Sequence, residues 1–287
     1  MKPPINWFDW RFFNCLLKRW LLAFVTKTLS YLSFNFYSSI SNYIGDGSNP
    51  QHSICAIAIT DYLSIDNYLK VRDDKRLPSS VKLVFPNVEL RIKPVATESP
   101  INIHCLFDPS IANDLNTRFF SHLTFEYNQN QYNATRGDLI RLGRDFQNSP
   151  QLSEAKAYAE GLSQYIISFE TLSNLFKQNP QLRNKTIIVV SNKSNDGVSG
   201  LRNHCDYFER NKSDKNISQL EATRRSIYHF ADMIFSSNSN DIKYFLGEGA
   251  DSPEIVKNKY GCLMPCIHGC DAHNNNKIFA PDKDRFC

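Results

Sequence analysis

The stretch Ser53 to Thr60 reads SICAIAIT, an unbroken apolar run rich in isoleucine and bounded by polar residues. A strand whose two faces are both buried has this composition, because neither face of its sheet meets water. Asp61 and Tyr62 follow at its carboxyl end, and Ser64 can cap a short helix that continues through Leu69. The stretch therefore predicts a strand in the middle of a sheet, followed directly by a helix.

Further strand and helix candidates alternate on the carboxyl side of this stretch. Apolar segments predict strands over 81–92, 101–107, 185–190 and 262–267, with Pro86 suggesting a break or bulge in the first of them. Apolar residues at three- and four-residue spacing predict helices over 153–178 and 221–235. Strands that alternate with helices are typical of a parallel sheet, either open or closed as a barrel, so the predicted fold class is α/β.

The amino-terminal segment, residues 1–52, differs from the rest in being rich in aromatic residues. Its uncharged apolar run, Trp20 to Thr26, is far shorter than the roughly 20 residues that cross a bilayer. We therefore expect no membrane span. A packed or interfacial amphipathic helix and a divergent, truncated or frame-shifted replacement for a first strand are the alternatives for this segment.

Composition sets broad limits on the function. The chain of 287 residues is 41% hydrophobic and 22% charged, which argues against global disorder, and its net charge of +4 is compatible with phosphate-bearing ligands. Its eight cysteines form no compact disulfide framework, so we expect a reducing cytoplasm. Cys262, Cys266 and Cys270 recur every four residues, but buried packing is favoured over a zinc cluster because the paired spacing of a zinc ribbon is missing.

The segment His268-Gly-Cys-Asp-Ala-His273 is the strongest local signal for chemistry. Asp271 and His273 are two residues apart, so their side chains share one face of an extended chain. A carboxylate beside an imidazole suits a Zn, Mn or Fe ion, although a surface loop often contains the same residue types.

Other residues of metal-binding type occupy corresponding places in the predicted strands. Glu89 lies late in one strand, His104 late in the next, and Asp61 directly after the first. In parallel α/β barrels the carboxyl ends of the strands form the active face, so we expect these segments to converge with Asp271 and His273 on one cleft. Taken singly, Glu89 would be an exposed carboxylate and His104 a core histidine.

Several of these segments together resemble a known family. AIAITDY, VFPNVELRI, INIHCLFDPS and IHGCDAH are similar to successive motifs of PHP (polymerase and histidinol phosphatase) domains, and more narrowly to the PHP portion of TrlF-type proteins, in which an ATPase module follows. The resemblance covers residues 53–287. It implies a distorted β/α barrel of about seven strands, with two or three metal ions, that hydrolyses a phosphate ester, with nucleotides or nucleic acid as a plausible substrate class.

The resemblance also implies roles for individual residues. Glu89, His104, Asp271 and His273 would bind the divalent ion (Mn, Zn or Fe), and Asp61 and His268 are the candidate catalytic residues, with His268 expected to support the ligands rather than bind the ion. Lys193 and Arg202 lie in a polar loop with two glycines and are candidate phosphate contacts, although such loops are often merely solvated.

Two departures from the family pattern point to an incomplete metal site. No His-x-His pair occurs in the chain, and Tyr62 stands where the superfamily commonly has histidine, so we expect fewer ions than in a complete site. No Gly-x-x-x-x-Gly-Lys-Ser/Thr phosphate loop is present, so an ATPase partner would be encoded separately and the chain is expected to be a fragment. Three alternatives stay open: an active hydrolase, a non-catalytic module working with a separate ATPase, and a truncated product without function.

Overall fold

The computed structural model describes residues 22–26, 34–46, 48, 54–93, 100–192, 217–236 and 238–267. The strands in these ranges are β1 (Leu22–Thr26), β2 (Ala56–Tyr62), β3 (Leu83–Lys93), β4 (Ile101–Phe107), β5 (Thr124–Tyr127), β6 (Asn130–Asn133), β7 (Ile167–Ser168), β8 (Thr186–Ser191), β9 (Met233–Phe235) and β10 (Cys266–Ile267).

The α-helices in the same ranges connect these strands. They are α1 (Phe34–Ile44), α2 (Asp66–Asp74), α3 (Leu115–Arg118), α4 (Arg136–Phe146), α5 (Glu154–Gln164), α6 (Phe169–Gln178), α7 (Pro180–Asn184), α8 (Ile217–Phe230), α9 (Ser239–Phe245) and α10 (Pro253–Tyr260). Short 3-10 helices cover Pro109–Asp114 and Phe120–His122. None of the helices in the described ranges combines the length and apolar character needed to cross a bilayer.

One large sheet organises the molecule. Its strand order is β1-β2-β3-β4-β8-β9-β10, with β7 paired to β3, while β5 and β6 form a separate hairpin. Strand β4 runs antiparallel to both of its neighbours, and every other pair in the large sheet is parallel. The sheet curls into a half-barrel with helices packed against it, which confirms the α/β class and is compatible with a distorted α/β barrel.

The two faces of the large sheet have different surroundings. One face packs against the helices in the main core, through residues such as Ile57, Ile59, Val88 and Ile103. We call the other the inner face. It carries a smaller apolar cluster that includes Ala58, Phe85, Leu106, Val189 and Met233.

The strand predicted over 53–60 is confirmed and extends further than expected. Strand β2 is buried throughout except at Tyr62, and it includes Asp61 as well. It pairs with β1 on one side and β3 on the other. Ile57 and Ile59 lie in the main core and Ala56 and Ala58 in the inner-face cluster, so both faces are covered, which explains its continuous apolar run. Helix α2 follows, and the Ser64 hydroxyl accepts a hydrogen bond from the Asp66 N–H at 3.0 Å. Within the amino-terminal segment, Leu22–Thr26 forms strand β1, which pairs with β2 in parallel.

Two predictions about β3 and β4 were wrong. Pro86 does not interrupt β3, because the pairing with β4 begins only at Asn87 and the pairing with β2 continues through the proline. The sheet is also not uniformly parallel, since β4 runs against its neighbours. The apolar run of a single strand does not show whether the strand is parallel or antiparallel to its neighbours, because pairing between distant segments fixes that direction.

Two predicted helices are shorter than their apolar periodicity suggested. The helix over 153–178 is divided into α5 and α6 by β7, which pairs with the end of β3, and Ser168 caps α6 by accepting from the Thr171 N–H at 2.9 Å. The helix over 221–235 ends at Phe230. The last residues of the predicted helix form β9 instead. Just before β9, the Asp232 N–H donates to the Ile188 carbonyl of β8 at 2.7 Å.

Candidate functional site

Glu89 and His104 lie directly opposite each other on β3 and β4. Opposed residues of an antiparallel pair point to the same face, with Cβ atoms about 4.5–5.5 Å apart. Phe85 and Leu106 lie at even spacing from Glu89 and His104 along the same strands and so point to the same face. Both belong to the inner-face cluster, so Glu89 and His104 lie on the inner face. The sheet thus brings together two of the four residues predicted to bind metal.

Their convergence has a different cause from the one that the sequence suggested. Because β4 is antiparallel, its carboxyl end lies at the opposite edge of the sheet from that of β3. Glu89 and His104 meet through the register of the pair, at the middle of both strands. The expectation that both sit at strand carboxyl ends was wrong. The pairing places the two residues opposite each other, and their convergence with Asp271 and His273 on one ion stays a prediction.

His104 is buried, with 6% of its surface exposed, and its ring stacks on Phe235 with centroids 5.4 Å apart. Burial lowers the pKa of His104 to about 4. At neutral pH the imidazole is therefore uncharged, which is the form that binds a metal ion.

The Asn87 amide lies against the Nδ1 atom of the His104 ring. Asn87 Nδ2 is 3.1 Å from His104 Nδ1 and donates to Thr60 Oγ1 at 2.7 Å, while Asn87 Oδ1 is buried and finds no partner among the described residues. With this orientation Nδ1 accepts and the proton sits on Nε2. Turning the amide by half a rotation would let Oδ1 accept from a protonated Nδ1 and leave Nε2 with a lone pair, the tautomer suited to a metal ion.

Tyr62 aligns with Glu89 across the β2–β3 pair. Its hydroxyl donates to the Tyr165 carbonyl at 3.0 Å, and burial, the largest effect, raises the pKa of its phenol. A protonated phenol whose hydroxyl already donates a hydrogen bond to a carbonyl is a poor metal ligand. The structure thus places a non-ligand beside Glu89.

Arg91 and Asn102 form the next opposed pair of β3 and β4 and share the inner face. The Arg91 guanidinium lies 4.8 Å from the centroid of the Tyr62 ring. Arg91 Nε and Asn102 Oδ1 are both buried, and neither has a hydrogen-bond partner among the residues that the structure describes. We call Asn87, Glu89, Arg91, Asn102 and His104 the inner-face stripe.

Sequence reasoning missed three members of this stripe. Asn87 and Arg91 flank Glu89 at two-residue spacing, and Asn102 precedes His104 by two. Since side chains in a strand alternate between faces, the period of two would have placed them beside the predicted ligands. The polar residues of NVELR and NIH were the available signal.

Asp61 lies on the other face of β2. It accepts hydrogen bonds from the backbone N–H of Asn67 at 2.8 Å and from the side-chain amide of the same residue on α2. Burial raises its pKa to about 6, against the opposing effect of the Asn67 hydrogen bonds. The structure does not bring Asp61 together with Glu89 and His104, so the catalytic role predicted for it stays a prediction.

The remaining predicted site residues lie outside the described residues: His268, Asp271, His273, Lys193 and Arg202. Among the residues that the structure does describe, no group of three His, Cys, Asp or Glu side chains could hold a metal ion. The described part of the site is therefore the Glu89–His104 pair, and β8 and β10 end directly before the segments that contain the other candidates.

The cysteine cluster at the end of the chain is described only at Cys262 and Cys266, which are both half-buried. Burial raises the pKa of Cys266 to about 12, so its thiol is protonated at neutral pH. A protonated thiol is not the form that binds zinc. Cys270 lies outside the described residues.

Comparisons with known proteins add little to this geometry. No protein-family model and no curated protein matches the chain. Among solved structures the chain is similar to a protein from Bifidobacterium adolescentis named as a metal-dependent phosphoesterase, with 11% identity over 93% of this chain and 90% of that chain and a TM-score of 0.36. A TM-score at this level does not establish a shared fold.

Proposed function

We propose that the chain is a metal-dependent phosphoesterase domain of the PHP type with a reduced metal site. The observation that carries the proposal is the opposition of Glu89 and His104 on the inner face of the curled sheet. The motifs that resemble PHP domains contribute these same two residues. Asp271 and His273 would complete the ligand set, and Lys193, Arg202 and His268 would act around it.

The donor set of the described residues fits a divalent ion in part. A carboxylate and a neutral imidazole suit Mn, Zn or Fe, and Asn87 Oδ1 would orient the imidazole once the Asn87 amide is turned by half a rotation. When bound, such an ion polarises a phosphate oxygen and lowers the pKa of a bound water. The chain's own contribution is to hold the imidazole uncharged, with its ring fixed between Asn87 and Phe235.

A second candidate function is a non-catalytic module that binds or regulates a separate ATPase. It is favoured by Tyr62, which occupies a place beside Glu89 that a nitrogen ligand would take in a complete site and which is tied to the Tyr165 carbonyl. A site that loses ligands in this way would keep fewer ions than an active centre needs. The partner under this proposal is an ATPase encoded by another gene.

The amount of bound metal distinguishes a chain that has a metal site from a chain that has none. The purified chain is dialysed without chelator and its Mn, Zn and Fe are measured by elemental analysis. We expect about one ion per chain, lost in Glu89→Gln and retained in Glu126→Gln, which makes the same chemical change at an exposed position on β5. A wild-type chain that contains no ion after incubation with each metal would end the phosphoesterase proposal.

Turnover separates the two candidate functions from each other. The Mn-loaded chain is tested on p-nitrophenyl phosphate and bis-p-nitrophenyl phosphate, as a monoester and a diester. Hydrolysis that disappears in Glu89→Gln supports the enzyme. Stoichiometric metal without hydrolysis of either ester, together with ATPase activity that copurifies with the tagged chain, supports the binding module.

A further inference from the structure

We propose that Arg91, held against Tyr62 and facing Asn102, forms a binding site for a phosphate oxyanion beside Glu89 and His104. The inference deepens the proposed function, on which it rests for the chemical class of the ligand. It concerns residues to which neither the sequence motifs nor the comparisons gave a role.

The first step is the state of the Arg91 guanidinium. Its Nε is buried and has no hydrogen-bond partner in the part of the chain that the structure describes. A buried donor without an acceptor is costly, and more so when the group is charged, so an unsatisfied guanidinium N–H points to an acceptor from outside, such as a ligand. An oxyanion is the natural acceptor for a guanidinium, which binds phosphate through two parallel N–H groups.

The second step is orientation. Arg91 is two residues from Glu89 on the same strand and therefore on the same face. Its guanidinium stacks on the Tyr62 ring at 4.8 Å, and Tyr62 is itself anchored to the Tyr165 carbonyl. The stack restricts the side chain to the end of the inner-face stripe, so little conformational entropy is lost when an anion binds.

The third step is the group across the strand pair. Asn102 is opposite Arg91, is 7% exposed, and has an unpartnered Oδ1. A donor and an acceptor that both lack partners thus lie on neighbouring strands. A phosphate group with one ionised and one protonated oxygen, or with a neighbouring hydroxyl, would satisfy both at once.

Glu89 sets the conditions of the test. Its carboxylate lies next to the proposed anion site and repels an anion until a cation or a substitution removes its charge. Phosphate binding must therefore be measured in two backgrounds: the Mn-loaded wild-type chain, and the metal-free Glu89→Gln variant, whose amide does not repel.

The probe is inorganic phosphate, titrated by isothermal calorimetry. We expect Arg91→Met to weaken phosphate binding by roughly 10- to 100-fold in both backgrounds, as expected for loss of a charge-assisted hydrogen bond. Arg136→Met is the matched control, because Arg136 also stacks on a tyrosine, Tyr158, at 4.6 Å but is exposed. Equal phosphate affinity in Arg91→Met and the corresponding parent would overturn the inference.

A second variant keeps the test valid if Arg91→Met unfolds. Asn102→Asp changes one atom and places a carboxylate opposite Arg91, where it would pair with the guanidinium and exclude the anion. We expect weaker phosphate binding with an unchanged or higher unfolding midpoint. Unchanged phosphate affinity in Asn102→Asp would count against the site.

The failure of this inference differs from the failure of the proposed function. If the wild-type chain binds no metal while Glu89→Gln binds phosphate through Arg91, the anion site stands and the phosphoesterase proposal falls. If the chain binds Mn and hydrolyses esters but Arg91→Met leaves phosphate affinity unchanged, the reverse holds. A chain that binds phosphate in neither background contradicts the anion site.

Discussion

The inner-face stripe, in which Glu89 and Arg91 are half-buried, differs from a second and fully buried polar group in how far its hydrogen bonds are satisfied. The second group, which we call the Asp241 network, lies where β8 and β9 end and consists of Asn192, Tyr228, Ser236 and Asp241. Asn192 Nδ2 and Ser236 Oγ both donate to Asp241 Oδ2 at 2.7 Å, and the Tyr228 hydroxyl donates to Asn192 Oδ1 at 2.6 Å. In the stripe, by contrast, three atoms lack hydrogen-bond partners within the described ranges of the chain: Asn87 Oδ1, Arg91 Nε and Asn102 Oδ1.

The difference indicates separate roles. Satisfied buried networks stabilise a fold, because every donor and acceptor that leaves water finds a replacement. A group of orphaned polar atoms on one face contributes nothing of this kind and costs free energy. Such a group fits a binding surface on which a ligand supplies the missing hydrogen-bond partners, and this is the role we propose for the inner-face stripe.

The largest effect should come from breaking the satisfied network. Asp241→Ala removes the acceptor for two buried donors, and we expect it to lower the free energy of unfolding by about 3–4 kcal/mol. Urea unfolding followed by circular dichroism measures the loss. Asp73→Ala, at an exposed carboxylate on α2, should change the value by less than about 0.5 kcal/mol. A small loss in Asp241→Ala would mean that the network does not stabilise the fold.

A pH series tests the buried carboxylate on the other face of the sheet. The pKa of Asp61 is raised to about 6 in the folded chain, above its ordinary value, so between about pH 4 and pH 6 the folded state binds more protons than the unfolded state. The contribution of Asp61 to the free energy of unfolding therefore rises as the pH falls through this window. We expect the free energy of unfolding of Asp61→Asn, measured relative to wild type, to be about 2 kcal/mol higher at pH 8 than near pH 4.

The comparison of Asp61→Asn with wild type also removes the effect of His104. The lowered pKa of His104 acts in the opposite direction, since its stabilising contribution is lost as the pH falls from about 6.5 to about 4. Both chains share this contribution, so it cancels in the difference. A stability difference between the two chains that does not change with pH would contradict the raised pKa of Asp61.

The Asn87 position sharpens the proposed role of the stripe. Asn87→Asp supplies a fixed acceptor for His104 Nδ1–H and should tighten Mn binding by about tenfold, whereas Asn87→Leu supplies none and should weaken it by about tenfold. Mn titration by calorimetry measures both constants. The same direction of change in the two variants would mean that Asn87 does not control the His104 tautomer.

The smallest effect is expected where a polar group has no partner to lose. Asn102→Leu replaces a side chain with an orphaned Oδ1 by an apolar one of similar size, so the free energy of unfolding should change by less than about 0.5 kcal/mol or increase. Asn192→Leu, the same change in the Asp241 network, should cost about 2–3 kcal/mol because it breaks two buried hydrogen bonds. Equal losses in the two variants would remove the contrast between the two regions.

The sequence predicted those parts of the fold and site that depend on local pattern. The continuous apolar runs of β2, β4 and β8 identified buried strands. The sequence also singled out Glu89 and His104, which the sheet places opposite each other, while their role as ligands stays a prediction. The direction of β4 could not be predicted, because it is set by pairing with β3 and β8 rather than by any residue in the strand.

Other features depended on contacts between distant segments. The predicted helix over 153–178 is interrupted where β7 pairs with β3 and where the Tyr165 hydroxyl donates to the Leu123 carbonyl at 2.6 Å, two contacts that no periodicity reveals. The placement of Asp61 was different in kind. Side chains alternate between the two faces of a strand, so Asp61 lies on the opposite face of β2 from Tyr62. The expectation that Asp61 joins the site did not take this alternation into account.

A double-mutant cycle on Mn affinity tests most directly whether Glu89 and His104 bind one ion. Calorimetric titration is carried out on wild type, Glu89→Gln, His104→Gln and the double variant, with His122→Gln as the control at an exposed histidine. We expect each single substitution to weaken Mn binding by about 100-fold or more, and the double substitution to cost at least about 1 kcal/mol less than the sum, because two ligands of one ion are coupled. Wild-type Mn affinity in either single variant, or strictly additive losses, would contradict a shared metal ion on the inner face.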